Sequence, residues 1–169
     1  MNRLLAVAAM AVLSACGTAD AASSDDAARG SLAMSDAPPQ ELPTVLVYKT
    51  STCGCCSGWV EHLREAGFNV DARDLPDNTE LMRVKMDTGV PMSMATCHTA
   101  LVDGYVVEGH VPADQIKRLL AERPEFAGIA VPGMPMGSPG MEGPGGRPYQ
   151  VMAWDQNGEA SVFAEVHPR

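Results

Sequence analysis

The 169-residue chain has few aromatic residues, few basic residues and no long apolar run. It contains two Trp, three Tyr and three Phe, and its 12 Lys and Arg residues face 21 Asp and Glu residues, for a formal net charge of −9. That charge repels polyanions, which argues against nucleic acid binding. Apart from the first 13 residues, no apolar segment approaches the roughly 20 residues that a membrane-spanning helix needs. We expect one compact domain with appendages.

The amino terminus has the pattern of an export signal. A short positive segment, Met1-Asn2-Arg3, precedes the apolar residues 4–13, as in secretory signal peptides. Leu13-Ser14-Ala15-Cys16 resembles the bacterial lipobox, in which small residues precede a cysteine that is acylated. We therefore expect residues 1–15 to be a lipoprotein signal peptide and Cys16 to carry the lipid. The alternative is ordinary cleavage at a neighbouring alanine, which would leave Cys16 incidental.

The predicted anchor implies a place in the cell. Because Gly17 rather than Asp follows Cys16, we expect an outer-membrane lipoprotein that faces the periplasm. Residues 16–43 comprise this cysteine and a segment rich in Ala, Ser and Asp, which has too few large apolar residues to order itself and is predicted to be a flexible tether. Residues 44–124 are predicted to form the core, and residues 125–169 an extension of the same domain.

The central residues alternate between strand and helix patterns. Strands are predicted at 45–48, 68–72, 96–102 and 105–107, and helices at 53–66, from Asp77 toward Gly89, and between Pro112 and Pro124. Asp103-Gly104 marks a hairpin turn. This α/β order resembles the thioredoxin fold, in which a cis proline lies opposite a redox pair. The resemblance places Pro91 at that position.

The last part of the chain combines a loop pattern with a hairpin pattern. Residues 128–146 contain seven Gly and four Pro, which predicts a Gly/Pro/Met-rich loop without regular structure. Residues 149–154 and 159–166 flank Asn157-Gly158 and predict a C-terminal β-hairpin.

Four cysteines carry the predicted chemistry. Cys53-Gly54-Cys55-Cys56 places three thiols in one turn at a helix N-terminus, where thiolates are stabilised, and Cys97 follows 41 residues later. Cys53 and Cys56 have the C-x-x-C spacing of a redox pair. A purely structural disulfide, either between those two or between one of the trio and Cys97, is an alternative.

A metal accounts for the third thiol better than thiol-disulfide exchange alone. Cys55 lies between the redox pair and would compete for disulfide exchange. Zinc usually takes thiolates as two C-x-x-C pairs, whereas soft thiolates with thioethers nearby select Cu(I). Five methionines and one histidine are weaker candidate ligands: Met92, Met94, Met134, Met136, Met141 and His98. Met92 and Met94 are predicted to share one face of an extended segment. Solvated or hydrogen-bonded roles are expected for His62 and His110, and Trp59 is expected to be a lid or a packing residue over the cysteines.

Several unusual motifs occur together in one order: Cys53-Gly54-Cys55-Cys56 with Trp59 and His62, Gly89-Val90-Pro91, Thr96-Cys97-His98-Thr99-Ala100, Gly104-Tyr105, Glu108-Gly109-His110-Val111-Pro112, Gly128, Ala130-Val131-Pro132-Gly133-Met134-Pro135 and Gly137-Ser138-Pro139-Gly140-Met141-Glu142. Through these motifs, over residues 44–163, the chain resembles the CopG-type copper-resistance family. The resemblance implies an exported thioredoxin-like domain that binds more than one Cu(I) ion through Cys53, Cys55, Cys56 and Cys97, in defence against copper or silver.

The sequence leaves the activity open. Our first reading is a copper-binding protein that sequesters Cu(I), or cycles between bound thiolates and a Cys53–Cys56 disulfide as a copper-linked thiol oxidoreductase. A metal-independent thiol-disulfide oxidoreductase is one alternative. A chaperone that passes copper to an efflux partner or another periplasmic copper-handling protein is the other, with the methionine-rich loop as its transfer surface.

Overall fold

The computed structural model describes residues 41–168. The predicted signal peptide, Cys16 and most of the tether lie outside these residues. The described elements are β1 (Val45–Thr50), α1 (Gly54–Glu65), β2 (Val70–Leu75), α2 (Asn78–Asp87), β3 (His98–Val102), β4 (Tyr105–Gly109), α3 (Ala113–Glu122), β5 (Gly128–Val131), β6 (Tyr149–Trp154) and β7 (Ala160–Val166). The predicted α/β class and the predicted order of elements up to α3 are confirmed. In residues 41–168, every helix is too short or too polar to cross a lipid bilayer.

All seven strands belong to one sheet, in the order β2-β1-β3-β4-β5-β6-β7. β1 pairs with β2, and β4 with β5, in parallel, while the other neighbours are antiparallel. The predicted C-terminal hairpin is confirmed as β6 and β7, and β5 joins it to the edge of β4. The tail therefore extends the sheet of the core instead of forming a layer of its own.

The sheet is covered on both faces at its centre. Val107 and Ile129 belong to a large apolar cluster with the α1 and α3 side chains, whereas their neighbours Val106 and Ala130 belong to a second cluster with Trp154. Successive residues of a strand point to opposite faces, so β4 and β5 are buried on both sides. Burial on both faces fixes the position of β4, and the residue that follows its C-terminal end belongs to the site described below.

Local chemistry explains where the first two helices begin. Cys53 caps α1, because its Sγ accepts the Cys56 N–H at 3.3 Å. Asp77 caps α2 by accepting the N–H groups of Thr79 and Glu80 at 2.8 and 3.0 Å, so the predicted capping box is confirmed at its N-cap. The cysteine that the sequence singles out for chemistry is therefore also the residue that starts its helix.

Several predicted element boundaries differ from the structure; β3, for example, begins at His98 and not at Thr96. Two other differences concern the core. Gly128–Val131 is the fully buried strand β5 and not part of the loop, because the run Gly-Ile-Ala-Val is apolar and Gly128 leaves room for the Trp154 ring; a Cβ at Gly128 would lie 2.4 Å from that ring. The second strand begins at Val70 and not at Phe68, because Phe68 turns into the core after α1 and its N–H donates to the Leu63 carbonyl at 3.0 Å.

Two predictions for the segment before β3 are also wrong. Pro91 is not preceded by a cis peptide bond, and residues 41–168 contain none. Met92 and Met94 do not share a face, because Met94 N–H donates to the Pro91 carbonyl at 2.8 Å and closes a turn. Met92 is 67% exposed, and Met94 is buried against Val90 and Trp154.

Candidate metal centre

The helix side of the site is a single turn of chain with three thiols. Cys53 and Cys56 form a disulfide, and Cys55 carries a free thiol. The Cys55 Sγ lies 3.6 Å from the Cys53 Sγ. Cys56 is fully buried, while Cys53 and Cys55 are partly exposed. The structure thus shows the candidate redox pair in its oxidised form, with a third thiol within reach.

The sheet side of the site is built where the β3–β4 hairpin ends. Cys97 precedes β3 and His110 follows β4, and the Cys97 Sγ lies 3.2 Å from the His110 Nε2. The His98 Nδ1 lies 3.4 Å from the same sulfur. Cys97 lies outside the regular pairing of β3, so it and His98 face one site although they are neighbours in the chain.

The two sides meet. One donor atom from each of Cys53, Cys55, Cys56 and Cys97 lies within 4.8 Å of the other three, and the same holds among Cys97, His98 and His110. The Cys56 Sγ lies 3.6 Å from the Cys97 carbonyl oxygen. The structure therefore brings together the four sulfurs that the sequence proposes as ligands. When reduced, four thiolates at this spacing could bridge soft metal ions.

Burial sets the protonation of the sheet side. Burial, together with a smaller effect of the nearby Cys55, raises the pKa of the Cys97 thiol to about 12. Burial also lowers the pKa of His98 well below its ordinary value, with His110 and Lys85 acting in the same direction. The pKa of His110 is lowered by burial as well, against the opposing effect of the Pro139 carbonyl. At neutral pH this side presents a protonated thiol and two neutral imidazoles. A metal ion that bound here would have to displace the thiol proton.

A buried ion pair holds the segment that carries Cys97. The Lys85 Nζ lies 2.5 Å from the Glu108 Oε1, and both side chains are almost fully buried. The same carboxylate accepts the Thr96 N–H at 2.6 Å and, through its other oxygen, the Thr99 hydroxyl at 2.7 Å. Since Thr96 precedes Cys97, the pair fixes the backbone next to the sheet-side thiol.

The predicted methionine ligands are dispersed. Met134 lines an open cleft of about 610 Å³ that Cys53, Cys97 and Met82 also line. Met136 is 43% exposed and Met141 is partly buried. Within residues 41–168 the thiols are brought into one cluster, whereas of the five predicted methionines only Met134 lines this cleft.

Trp59 and His62, which the sequence also singles out, have structural roles beside the site. The Trp59 ring lies 4.3 Å from the His98 ring, and its Nε1 donates to the Val111 carbonyl at 2.8 Å. The His62 Nε2 accepts the Ala113 N–H at 3.0 Å, at the start of α3. The hydrogen-bonded role predicted for His62 and the packing role predicted for Trp59 are confirmed.

His110 is the residue that the sequence reasoning missed. Its signal was present in the hairpin, because a two-residue turn at Asp103-Gly104 pairs Val102 with Tyr105 and Thr99 with Glu108. Continued by two residues, the same register sets Cys97 opposite His110. A hydrogen-bonded role is confirmed for His110, but its place beside Cys97 was not foreseen.

Comparisons with known proteins identify the family of the chain. A family model described as "Protein of unknown function, DUF411" matches residues 94–141, which include Cys97, His98 and His110. Two solved structures, described as copper resistance protein copG in form 2 and form 1, are each 45% identical to this chain. Each match covers 75% of this chain and 99% of the solved chain, with TM-scores of 0.69 and 0.68. No curated protein matches the chain. At this identity over nearly the whole of the solved chains, the chain belongs to the family of copper resistance protein copG.

Proposed function

We propose that the protein binds Cu(I) through Cys53, Cys55, Cys56 and Cys97, as a thiolate cluster of more than one ion, and so contributes to resistance against copper or silver. The observation that carries this proposal is the convergence of four cysteine sulfurs within 4.8 Å. Sulfur-only donors select soft ions such as Cu(I) over hard divalent ions. The solved relatives, which are named copper resistance protein copG, support the same metal.

His110 extends the proposed donor set. Its Nε2 lies 3.2 Å from the Cys97 Sγ, and its other ring nitrogen, Nδ1, lies 2.7 Å from the Pro139 carbonyl oxygen. Histidine ligands of metals are commonly held in this way by a second hydrogen bond on the far nitrogen. His98, predicted as a weaker ligand, has its Nδ1 3.4 Å from the Cys97 Sγ and shares this proposal.

The Cys53–Cys56 disulfide could exchange two electrons with two copper ions. Two Cu(I) ions would give up one electron each and become Cu(II), and the two electrons would break the S–S bond and leave two thiolates. In the reverse direction, two thiolates would form the disulfide and reduce two Cu(II) ions. The adjacent thiols of Cys55 and Cys97 would retain the ions during the exchange.

A metal-independent thiol-disulfide oxidoreductase is the second candidate. The Cys53–Cys56 disulfide at the start of α1 favours it, since that is where a reactive thiolate is best stabilised. The free thiols of Cys55 and Cys97 argue against it. The chaperone alternative draws on Met134 and Met136, whose side chains are 39% and 43% exposed and could offer thioethers to a copper efflux partner.

The decisive experiment is metal analysis with thiol counting on the chain lacking residues 1–16, purified and reduced without oxygen. We expect more than one Cu(I) per chain, with the four thiols protected from alkylation. A single Zn(II) that Cu(I) does not displace would overturn the copper proposal. If the chain binds no copper but catalyses thiol-disulfide exchange, the result would favour the oxidoreductase.

We also propose that the chain is a periplasm-facing outer-membrane lipoprotein anchored through Cys16. Each buried methylene of an acyl chain contributes about 0.8 kcal/mol, and stable anchoring takes more than one chain. Cys16→Ser should release the protein from the membrane fraction or block signal processing, while the expressed domain binds copper as before. Loss of copper binding in a folded Cys16→Ser domain would mean that Cys16 is a fifth ligand.

A further inference from the structure

The segment of residues 135–142, here called the strap, is internally hydrogen bonded although it is rich in glycine and proline. Ser138 is fully buried, and both its N–H and its hydroxyl donate to the Pro135 carbonyl, at 3.1 and 2.7 Å. Met141 N–H donates to the Ser138 carbonyl, and Gly137 N–H to the Met141 carbonyl, each at 2.8 Å. The strap therefore has one defined backbone path.

The strap rests directly on the backbone of the cysteine helix α1. A Cβ on Gly140 would lie 2.4 Å from the Cys55 carbonyl oxygen and 2.7 Å from the Trp59 nitrogen. On the other side, a Cβ on Gly58 would lie 3.1 Å from the Gly140 Cα. Gly140 has φ of +81°. Any side chain at Gly140 would push the strap away from α1.

This contact places the Pro139 carbonyl group beside His110. The Pro139 oxygen, one residue before Gly140, lies 2.7 Å from the His110 Nδ1. A carbonyl oxygen can only accept, so Nδ1 must carry the hydrogen. In a neutral imidazole the other nitrogen then has a lone pair. That nitrogen, Nε2, lies 3.2 Å from the Cys97 Sγ.

We infer that the strap is a positioning device: through the Pro139 carbonyl it fixes His110 as the Nδ1–H tautomer and aims an unprotonated Nε2 at Cys97. In the metal-free protein, Nε2 accepts the Cys97 thiol hydrogen. Pro139 and Gly140 are positioning residues, because they act on the sulfur only through His110. The use of Nε2 as a copper ligand rests on the proposed function, whereas the tautomer does not.

The first test needs no substitution and no metal. Full-length chain labelled with ¹⁵N and ¹³C, with its Cys53–Cys56 disulfide intact and with chelator present, is studied by NMR at about pH 8, where the imidazole is neutral. We expect long-range proton–nitrogen correlations to show Nδ1 protonated and Nε2 bare, and a scalar coupling from Nδ1 to the Pro139 carbonyl carbon. Protonation at Nε2 in this sample would overturn the inference.

The second test moves the strap. Gly140→Ala should shift His110 toward a mixture of tautomers and weaken or remove the coupling to Pro139. Gly145→Ala is the matched control, because Gly145 also has a positive φ, +89°, but has nothing within 4 Å of an added Cβ. The control should keep the wild-type tautomer. An unchanged tautomer in folded Gly140→Ala would overturn the inference.

A milder variant covers the case in which Gly140→Ala does not fold. The Glu142 Oε1 accepts the Gly140 N–H at 2.7 Å on the exposed side of the strap, so Glu142→Ala loosens the strap without a steric clash. Glu142→Gln removes only the charge and keeps an acceptor. We expect exchange broadening of the His110 nitrogens in Glu142→Ala but not in Glu142→Gln, and equal spectra of the two would overturn the inference.

Failure of the inference and failure of the proposed function give different results. If the wild-type tautomer is Nδ1–H and the reduced chain still takes up no Cu(I), the positioning stands and the copper site does not. If Cu(I) binds normally while Nε2 is protonated in the metal-free chain, the copper site stands and the strap has no positioning role.

Discussion

The two sides of the candidate metal centre are made in different ways. The helix side places Cys53, Cys55 and Cys56 within four consecutive residues, two of them partly exposed. The sheet side assembles the partly exposed Cys97 and the fully buried His110 from the two ends of a hairpin, and residues far away in the sequence hold them in place. Thiols in one turn stay close together even in an unfolded chain, whereas the sheet side exists only when the hairpin, α2 and the strap are folded. Folding therefore completes the site.

The strongest test of this comparison removes one thiol from each side. Cys97→Ser should abolish multi-copper binding as thoroughly as Cys55→Ser, because three thiols on one turn cannot enclose a metal ion without a donor from across the fold. The measurement is Cu(I) stoichiometry by competition with a coloured chelator. Met92→Leu, at a 67% exposed thioether, is the control and should bind as the wild type does. Full stoichiometry in Cys97→Ser would reduce Cys97 to a core thiol.

Loss of the buried ion pair that supports the sheet side should lower the stability of the protein. Lys85→Met leaves the Glu108 carboxylate buried without its cation, and removal of one partner of a buried pair typically lowers the free energy of unfolding by about 3–5 kcal/mol. Because Glu108 also holds Thr96, the Cys97 thiol should react faster with a thiol reagent.

Lys49→Met is the matched control for that experiment. Lys49 is nearly buried but pairs with Asp74, whose side chain is 55% exposed and stays hydrated when the lysine is lost. Its cost should be about 1 kcal/mol or less. Denaturant unfolding monitored by Trp fluorescence measures both variants, and equal costs would contradict a special role for the buried pair.

The contact between the helix side and the strap can be tested with two glycines of α1. Alanine in a helix is ordinarily up to about 1 kcal/mol more stable than glycine. Gly54→Ala meets nothing within 4 Å and should be neutral or stabilising, while Gly58→Ala approaches the Gly140 Cα to 3.1 Å and should destabilise by about 1 kcal/mol. Thermal unfolding of the two variants gives the comparison. A stabilised Gly58→Ala variant would show that the strap moves away from α1 at little cost in free energy.

Acid should weaken the sheet side through its histidines. His98 and His110 have pKa values lowered below 6.5 by burial in the folded chain, with that of His98 well below it. The unfolded chain therefore binds more protons as the pH falls below about 6.5, so stability is full above that pH and is lost beneath it, by up to about 1.4 kcal/mol per pH unit for His98 and by less for His110. Denaturant unfolding of the metal-free, disulfide-containing chain at about pH 7.5, 6.5 and 5.5 measures this, and a flat profile would contradict the buried, neutral state of His98.

Local patterns in the sequence predicted most of the elements. A short β-branched and apolar run located β1, helical spacing located α1 and α3, the Asp77 box located the start of α2, and Asp103-Gly104 located the hairpin. The same reasoning failed at Gly128–Val131, because a four-residue apolar run inside a Gly/Pro-rich segment becomes a strand only when β4 and β6 are available to pair with it. It also failed at Met92 and Met94, where a backbone turn overrides the alternation expected of an extended segment.

The sequence by itself determined the three clustered thiols, the distant fourth and the soft-metal chemistry that sulfur donors imply, because these follow from residue type and short-range spacing. Only the tertiary structure decided that His110 faces Cys97, that Lys85 and Glu108 are buried together beneath the Cys97 segment, and that the strap lies on α1. These contacts join residues 12 or more positions apart. Strand register, close backbone packing and the exclusion of water bring such residues together, and of these three only the strand register has a local signal in the sequence, the turn at Asp103-Gly104.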